Sequence, residues 1–378
     1  MPWGEVSTMS LRREFVMLAN QEGANIRDLC RRFGIQPRIA YKWLERYGAS
    51  GEAGLADRSR RPHRSPNRTS AAMEALVLAV REANPAWGGR KIRRRLQDLG
   101  HEGVPSAGTT TAILHRHGLI DPAQSAARVR PQRFERAVPN ELWQMDFKGH
   151  FPLAQGRCHP LTVLDDHSRY ALGIRACGAE TEGTVQAELT AIFRCYGLPE
   201  RMLMDNGSPW GSAHAEHRYT RLEVWLLELG IPVGHGRAYH PQTQGKDERF
   251  HRTLAAEAIG RRHFADLAAC QRQFDEWREV YNTQRPHEAL ALATPITRYR
   301  PSPHRFPEQL QPFDYGPGAI VRRVDQDGWL SFRGRPLKLG RAFVRRTVAL
   351  RPAPMDGCFE VSFCGYTMAS FDLRAAAP

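Results

Sequence analysis

The chain has 378 residues, which is more than one typical domain holds and enough for several modules, each with its own core. Its 54 Lys and Arg residues outnumber its 40 Asp and Glu residues, and the net charge of +14 favours a polyanionic partner such as nucleic acid. No apolar run approaches the roughly 18 residues that a membrane-spanning helix needs, so we expect a protein that does not enter a membrane.

The start of the chain and the spacing of its cysteines argue against a secreted protein and against a zinc-binding one. The first ten residues carry no basic segment followed by an apolar core, so we expect no secretory signal and a cytoplasmic location. Seven Cys residues are scattered without a Cys-x-x-Cys pair. This pattern argues against a disulfide framework and against a zinc ribbon, and we expect reduced thiols.

Residues 1–48 carry a helix-turn-helix pattern. The pattern predicts a first helix over 11–20, a second one that Asn25 caps, and a third one that begins at Pro37. Ile39 and Trp43 would give the third helix its inward face. Residues on or beside its outward face are expected to contact DNA, namely Arg38, Tyr41, Lys42 and Arg46.

A small helical bundle with a solvated basic face is the alternative for this segment. The surrounding charge favours DNA, because residues 1–140 hold 24 Lys and Arg against 13 Asp and Glu, a net charge of +11. Residues 49–69 are rich in Gly, Ser, Pro and Arg and predict a basic linker, which either follows a phosphate backbone or merely keeps the chain soluble. Its expected DNA contacts are Arg58, Arg60 and Arg61.

Residues 70–120 predict a second helical DNA-binding domain, with Arg93 and Arg94 as expected DNA contacts. A linker over 121–139 follows. The expected helices of this domain are 71–83, 90–99 and 109–117.

From residue 140 to residue 300 the pattern changes to short apolar or alternating runs separated by turns, which predict strands. The expected strands are 142–147, 160–164, 170–176, 201–204 and 231–234, and the expected helices are 181–196, 220–229 and one from Gly245. Three strands followed by alternating helices and strands indicate an α/β fold with a mixed sheet. Residues 314–378 have Asp-Gly and Arg-Gly turns between alternating runs and predict a small all-β domain, a barrel.

Three acids stand where this core can bring them to one edge of the sheet: Asp146 in the first strand, Asp205 after the fourth, and Glu248 on the last helix. Taken singly, Asp205 could form a turn and Glu248 could be a solvated helix residue. Asp146 is different, because an acid in the run WQMDF is costly to bury without a cation or a full set of donors. Asp165 and Asp166 are interpreted as a strand-end turn instead.

Several segments resemble the DDE-type transposases of bacterial insertion sequences, which are relatives of retroviral integrases. The segments are LWQMDFKGHF from Leu142, LTVLDDHSRY from Leu161, MDNGSPW from Met204, YHPQTQGKDERFHRTL from Tyr239 and YNTQRPHEAL from Tyr281. The resemblance implies a ribonuclease H-like core over 140–300, in which Asp146, Asp205 and Glu248 are the catalytic and metal-binding acids. Three carboxylates suit two Mg²⁺ ions, for which Mn²⁺ is expected to substitute, in cleavage and joining of DNA.

The last helix of the core also carries expected DNA contacts, with a solvated basic face as the alternative. They are Lys246, Arg249, His251 and Arg252.

Two features depart from the family pattern. Asp205 and Glu248 are separated by 42 residues, which is longer than usual, and the excess is interpreted as an elaborated loop or a partner contact. Ala255 stands where many relatives have a basic residue, so that DNA contact is either lost or taken over by Arg252.

The sequence therefore predicts a transposase that binds double-stranded DNA, both the terminal repeats of its element and a target, and that acts as a homo-oligomer. One alternative is a catalytically inactive DNA-binding regulator or targeting subunit derived from a transposase. Another is a nuclease that only hydrolyses. The intact set of acids favours the transposase over the first alternative, and the tandem helical domains favour it over the second.

Overall fold

The computed structural model describes residues 7–59, 68–120, 135–205, 207, 209–210, 219–235, 245–260 and 262–374. The chain divides into two compact units, Met1–Arg68 and Thr69–Pro378. Within the described residues, every helix is too short or too polar to cross a lipid bilayer.

The first unit contains three helices, α1 (Thr8–Ala19), α2 (Ile26–Phe33) and α3 (Pro37–Ser50). Asn25 caps α2 as predicted, because its Oδ1 accepts hydrogen bonds from two main-chain N–H groups of the first turn. The prediction that Trp43 faces inward is confirmed, but the prediction for Ile39 is wrong, since its side chain is exposed and Ala40 is buried in its place. Ala40 lies three residues before Trp43, so the two share one face of α3 and pack together in the core of this unit.

The folded part of the first unit extends beyond the predicted boundary at residue 48. A 3₁₀ helix (Gly51–Leu55) follows α3 and buries Leu55 in the core of this unit. Arg12 holds it there by donating to the main-chain carbonyl of Leu55 at 2.9 Å. The first part of the predicted linker is therefore a piece of the domain, and Arg60 and Arg61 lie outside the described residues.

The second unit begins with three helices, α4 (Ala71–Ala83), α5 (Gly89–Asp98) and α6 (Ala107–Arg116), in agreement with the predicted elements. Their buried core includes Trp87, Ile92 and Leu114, and Val280 from the following domain packs against it. Arg95 also donates to Gln284 at 2.8 Å. This helical domain is therefore packed on the central domain.

The central domain is built on a mixed sheet, as predicted. Its strands are β1 (Trp143–Phe147), β2 (Phe151–Pro152), β3 (Arg157–Asp165), β4 (Ala171–Cys177), β5 (Met202–Met204) and β6 (Val233–His235). β3 runs antiparallel to β1, β2 and β4. β5 lies between β1 and β6 and is parallel to both, so the carboxyl ends of these three strands meet at one edge.

Helices cover both faces of this sheet. α7 (Glu182–Tyr196) and α8 (Arg221–Glu228) pack on one face. α9 (Gly245–Leu254), a π-helical turn (Ala255–Ile259) and α10 (Leu267–Thr283) pack on the other. α10 was not predicted, although its buried residues Cys270, Phe274, Trp277 and Tyr281 recur at helical spacing.

α10 also covers the main chain of β4. The side-chain oxygen of Asn282 accepts from the N–H of Ala171 at 2.8 Å, and its amide nitrogen donates to the carbonyl of the same residue at 3.0 Å. Gln271, three turns earlier, makes the same kind of double contact with Ala176 and Ile174. Two side-chain amides thus satisfy main-chain groups of β4 that could otherwise pair with another strand.

The C-terminal region is all-β, as predicted, and its Asp-Gly and Arg-Gly turns lie between strands. β7 (Ile320–Arg323), β10 (Thr347–Pro352), β11 (Cys358–Phe363) and β12 (Tyr366–Asp372) form a four-stranded sheet, and β8 (Trp329–Phe332) pairs with β9 (Arg335–Lys338). Among the described residues no strand pairing closes these sheets, so the predicted barrel is not confirmed.

This β-domain packs on the outer face of α8. Val224 and Leu227 of α8 are buried in the core of the β-domain, and Glu228 forms an ion pair with Arg346 at 2.7 Å. The helix in the unusually long segment between Asp205 and Glu248 is therefore a partner contact, and the partner is a domain of the same chain.

Candidate active site

The alternation of side chains along β1 places Asp146 on the face that α9 covers. Trp143 and Met145 are buried with α7 and α8. Gln144 and Asp146 lie on the opposite face because successive residues of a strand alternate. Asp146 is thus not an acid inside an apolar face, as the run WQMDF suggests, but belongs to a polar row on the other side of the sheet.

Asp146 and Asp205 come together at the carboxyl ends of β1 and β5. The parallel register pairs Trp143 with Met202 and Gln144 with Leu203. Continued by two residues, it sets Asp146 beside Asp205. Burial, together with repulsion from Asp205, raises the pKa of Asp146 to about 7. Two acids that repel one another in this way form a site that favours a cation.

The main chain of Asp205 is held by a histidine at the end of β6. His235 Nδ1 lies 3.1 Å from the carbonyl of Asp205, and its Nε2 lies 2.7 Å from the carboxylate of Glu223. The hydrogen bond to Glu223 raises the pKa of His235. Glu223 is buried and also caps α8, so this chain of contacts fixes the end of β5 relative to the helix behind it.

The edge near Asp146 is closed by His251 of α9. Thr162 Oγ1 donates to the main-chain carbonyl of Asp146 at 3.0 Å, so it accepts from His251 Nε2 at 2.8 Å. The other ring nitrogen then faces Asp146 Oδ2 at 3.9 Å. Burial, with repulsion from Lys148, lowers the pKa of His251 to about 4, so the ring is neutral at pH 7. The prediction that His251 contacts DNA is not supported, because its N–H is already used within the protein.

The third predicted acid, Glu248, does not join the other two in the described structure. Glu248 is exposed on the flank of α9, whereas its neighbour Asp247 is buried and has no hydrogen-bond partner for Oδ1 among the described residues. Burial, with repulsion from Asp146 and Asp166, raises the pKa of Asp247 to about 8. Within the part of the chain that the structure describes, no three His, Cys, Asp or Glu side chains are gathered closely enough to hold a metal ion.

Lys246 points into the protein rather than toward solvent. Its ammonium group forms an ion pair with the carboxylate of Asp166, which is almost fully buried. The predicted DNA contact of Lys246 is therefore not supported by its placement. The interpretation of the acids after β3 as a strand-end turn is confirmed for Asp165, which accepts hydrogen bonds from the N–H groups of Ser168 and Asn140 at 2.7 Å each.

The predicted DNA contacts of the helical domains have mixed environments. Arg38, Tyr41 and Lys42 are exposed on α3, and Arg46 is half-buried with its guanidinium 5.1 Å from the centre of the Trp43 ring. Arg58 is exposed. On α5 both predicted arginines are half-buried, and Arg94 pairs with Asp98 at 2.7 Å. These contacts with DNA stay predictions.

On α9 the two remaining predicted contacts, Arg249 and Arg252, are exposed. Arg252 follows Glu248 by four residues, so both lie on the same flank of the helix. Ala255 continues this flank and begins the π-helical turn, a distortion that is frequent at functional sites. Arg252 therefore lies on the same flank as Ala255, in a position to contact DNA in place of the basic residue that is absent at position 255.

Thr162, Asp166, His235 and Asp247 surround the site and were not predicted as parts of it. The alternation in β3 would have placed Thr162 on the side of Asp146, since the strand pairs these two residues. Helical periodicity would have placed Asp247 with the buried Phe250 and Leu254. No local pattern marks His235 or the pairing of Asp166 with Lys246, because these contacts come from residues distant in the chain.

Family models match each part of the chain. Two models described as "Integrase core domain" match residues 136–241 and 229–295. The model "IS481 family transposase, C-terminal domain" matches residues 319–378. A "Helix-turn-helix domain" matches residues 11–63, and a "Homeodomain-like domain" matches residues 39–114.

Whole proteins of mobile elements are similar to this chain. The insertion element IS407 uncharacterized 31.7 kDa protein of Burkholderia multivorans is 28% identical over 233 residues, which cover 59% of this chain and 80% of that protein. The transposase for transposon Tn552 of Staphylococcus aureus is 24% identical over 366 residues, which cover 85% of this chain and 74% of that protein.

Solved retroviral structures are also similar, at low identity. A chain of the simian T-cell lymphotropic virus intasome is 13% identical, with a TM-score of 0.39, and the match covers 78% of this chain and 94% of that one. The HTLV-2 integrase catalytic core domain in complex with magnesium is 15% identical, with a TM-score of 0.32, and the match covers 43% of this chain and 99% of that one.

The mixed sheet and its helices lie in the part of the chain that the integrase core models match, and the helix-turn-helix and homeodomain-like models match the helical domains ahead of it. The chain is similar to transposases and other proteins of bacterial mobile elements, which confirms the resemblance.

Proposed function

We propose that this chain is an active transposase that binds the terminal repeats of a mobile element and cleaves and joins DNA with Asp146, Asp205 and Glu248. The observation that carries the proposal is the pairing of two acids at the carboxyl ends of parallel strands, where their repulsion raises the pKa of Asp146 to about 7. An arrangement that costs stability in this way favours a functional role over a structural one.

The donor set fits Mg²⁺, or Mn²⁺ in its place. Mg²⁺ prefers oxygen ligands and keeps several waters, so one or two protein carboxylates together with phosphate oxygens are enough to bind it. Asp146 and Asp205 would provide these carboxylates, and the exposed side chain of Glu248 would provide the third by turning toward them. Bound divalent ions would supply an activated water and would stabilise the negative charge on the entering and leaving oxygens of a phosphodiester exchange.

The protein's own contribution is the placement of these acids and of the DNA. Thr162 and His251 fix the main chain of Asp146, and His235 fixes that of Asp205. The exposed Arg249 and Arg252 on α9 suit phosphate oxygens beside the acids. The basic helical domains suit duplex DNA, and synapsis of two element ends by a homo-oligomer follows from that task.

A strand-transfer assay tests the proposal. The probe is a labelled duplex copied from the DNA that flanks the coding region, incubated with the full chain, plasmid and Mg²⁺ or Mn²⁺. We expect joined product from the parent, none after removal of the metal with EDTA, and at least a hundredfold less from Asp205→Asn. The matched control is Glu276→Gln, an exposed acid on α10, which should join DNA as the parent does.

The outcomes separate the candidate functions. Binding of the duplex without cleavage or joining under any metal would refute an active transposase and support a DNA-binding regulator. Cleavage without joining would support a nuclease that only hydrolyses. Equal joining by Asp205→Asn and by the parent would show that the acids are misassigned.

A further inference from the structure

We propose that the buried ion pair between Lys246 and Asp166 fixes the first turn of α9, and with it the main chain from which the side chain of Glu248 reaches toward the other acids. The inference rests on the proposed function in one respect, because it takes Glu248 as a metal ligand. It gives a role to two charged residues that pair with one another beside the site.

Asp166 is a fixed anchor, because it is tied to the centre of the sheet through both its main chain and its side chain. Its N–H donates to the carbonyl of Leu142, next to β1. Its carboxylate accepts from the Gln144 side chain at 2.6 Å and from the N–H of Arg136 at 2.9 Å. The Asp166 side chain is 3% exposed. The anchor therefore belongs to the same strand layer as Asp146.

Lys246 is the point at which the start of α9 meets this anchor. It is the second residue of the helix and only 19% of its side chain is exposed. The apolar residues that pack α9 on the sheet, Phe250 and Leu254, come one and two turns later. The first turn of α9 covers residues 245–248. Among the described contacts of these residues, the ion pair of Lys246 with Asp166 is the one that ties the turn to the sheet through opposite charges.

Helical geometry links the ion pair to Glu248. Successive residues of an α-helix are separated by about 100° around the axis. Lys246 and Glu248 are thus on nearly opposite sides, whereas Glu248 and His251 lie within about 60° of one another. Contacts of Lys246 with Asp166 and of His251 with Thr162 fix both the rotation of α9 and its position along the axis. A helix freed from the first contact would no longer hold Glu248 at a fixed angle to Asp146.

A buried ion pair suits this purpose better than an apolar contact would. Its net contribution to stability is small, because desolvation of both charges offsets their attraction, but it tolerates little displacement. Asp166 also lies 4.0 Å from Arg169, which is itself buried and pairs with Glu135. The anchor is therefore held by charges on more than one side, and removal of Lys246 alone leaves it in place.

The test compares Lys246→Met, Lys246→Arg and Asp166→Asn with the parent in the full chain. The control is Arg272→Met, an exposed cation on α10 outside the site. One readout is hydrogen exchange of a peptide that covers residues 245–250. The other is the affinity for Mn²⁺, measured by calorimetry without DNA.

In Lys246→Met we expect the amides of Arg249 and Phe250, the first of α9 with intrahelical hydrogen-bond partners, to exchange at least tenfold faster. We expect Mn²⁺ to bind roughly tenfold more weakly, the usual effect of losing a residue that orients a metal ligand. Lys246→Arg should restore part of both, and Arg272→Met should change neither. In the double variant of Lys246→Met and Asp166→Asn, the loss should not exceed that of the worse single variant, because the two residues act as a pair.

Exchange and Mn²⁺ affinity that stay at the parental values in Lys246→Met would overturn the positioning role. So would additive losses in the double variant. A failure of the proposed function looks different: the parent itself would then bind no Mn²⁺, while the exchange of residues 245–250 would still report whether the ion pair holds the first turn.

Discussion

Replacing Asp146 with Asn should stabilise the metal-free protein while abolishing DNA joining. In the native state the ionised carboxylate is partly buried and faces Asp205, and its pKa is about 7 against an ordinary value of 3.8. That difference corresponds to an upper limit of about 4 kcal/mol at pH 8, where both the folded and the unfolded chain carry the charge. Because 27% of the side chain is exposed to screening solvent, we expect about 2 kcal/mol.

The pH dependence of this gain follows from the sign of the pKa change. The native state holds the proton of Asp146 more tightly than the unfolded chain, so stability is lost as the pH rises from about 4 to about 7 and stays lost above. Asn has no charge to lose. Its advantage over the parent should therefore be less than half as large at pH 5 as at pH 8.

Urea unfolding of both proteins in EDTA at pH 5 and pH 8 measures the effect, with Glu276→Gln as the matched exposed control. Added Mg²⁺ should raise the stability of the parent and leave that of Asp146→Asn nearly unchanged. A variant that is less stable than the parent at both pH values would refute the reasoning, because it would show that protein donors satisfy the carboxylate of Asp146.

Three further predictions concern the frame around the site. Glu257→Gln should lower the free energy of unfolding by about 3 to 5 kcal/mol, since Glu257 forms a buried ion pair with Arg285 at 2.9 Å; urea unfolding measures the loss, and a loss below 1 kcal/mol would contradict it. Asn282→Ala should cost about 1 to 3 kcal/mol for each of the two main-chain groups of β4 that it leaves without a partner, and light scattering should show more aggregation; unchanged stability would show that water replaces the amide. Burial, with repulsion from Arg285 and Lys91, lowers the pKa of His287, so the parent should lose up to about 1.4 kcal/mol per pH unit below 6.5 relative to His287→Gln; parallel stability curves for the two proteins would exclude this.

Much of the local structure could be predicted because short-range signals decide it. Asn25 caps α2 as predicted, and the run from Ala71 to Ala83 is a helix with the predicted limits. In these segments the side-chain pattern and the cap or turn residues point to the same structure. The buried aromatic residues of α10 recur at helical spacing, so the local signal for this helix is equally clear.

The order of residues along the chain shows which residue types can carry the chemistry: acids at three points of an α/β pattern and basic helical domains. How these residues meet depends on the tertiary packing. The parallel register of β1 and β5 puts Asp146 beside Asp205, and the packing of Phe250 and Leu254 turns Asp247 inward and leaves Glu248 on the flank. Lys246 likewise pairs with Asp166, 80 residues away. Such contacts depend on strand order and on helix rotation, which are set by the burial of apolar surface over the whole domain and leave no mark on the residues next to each charge.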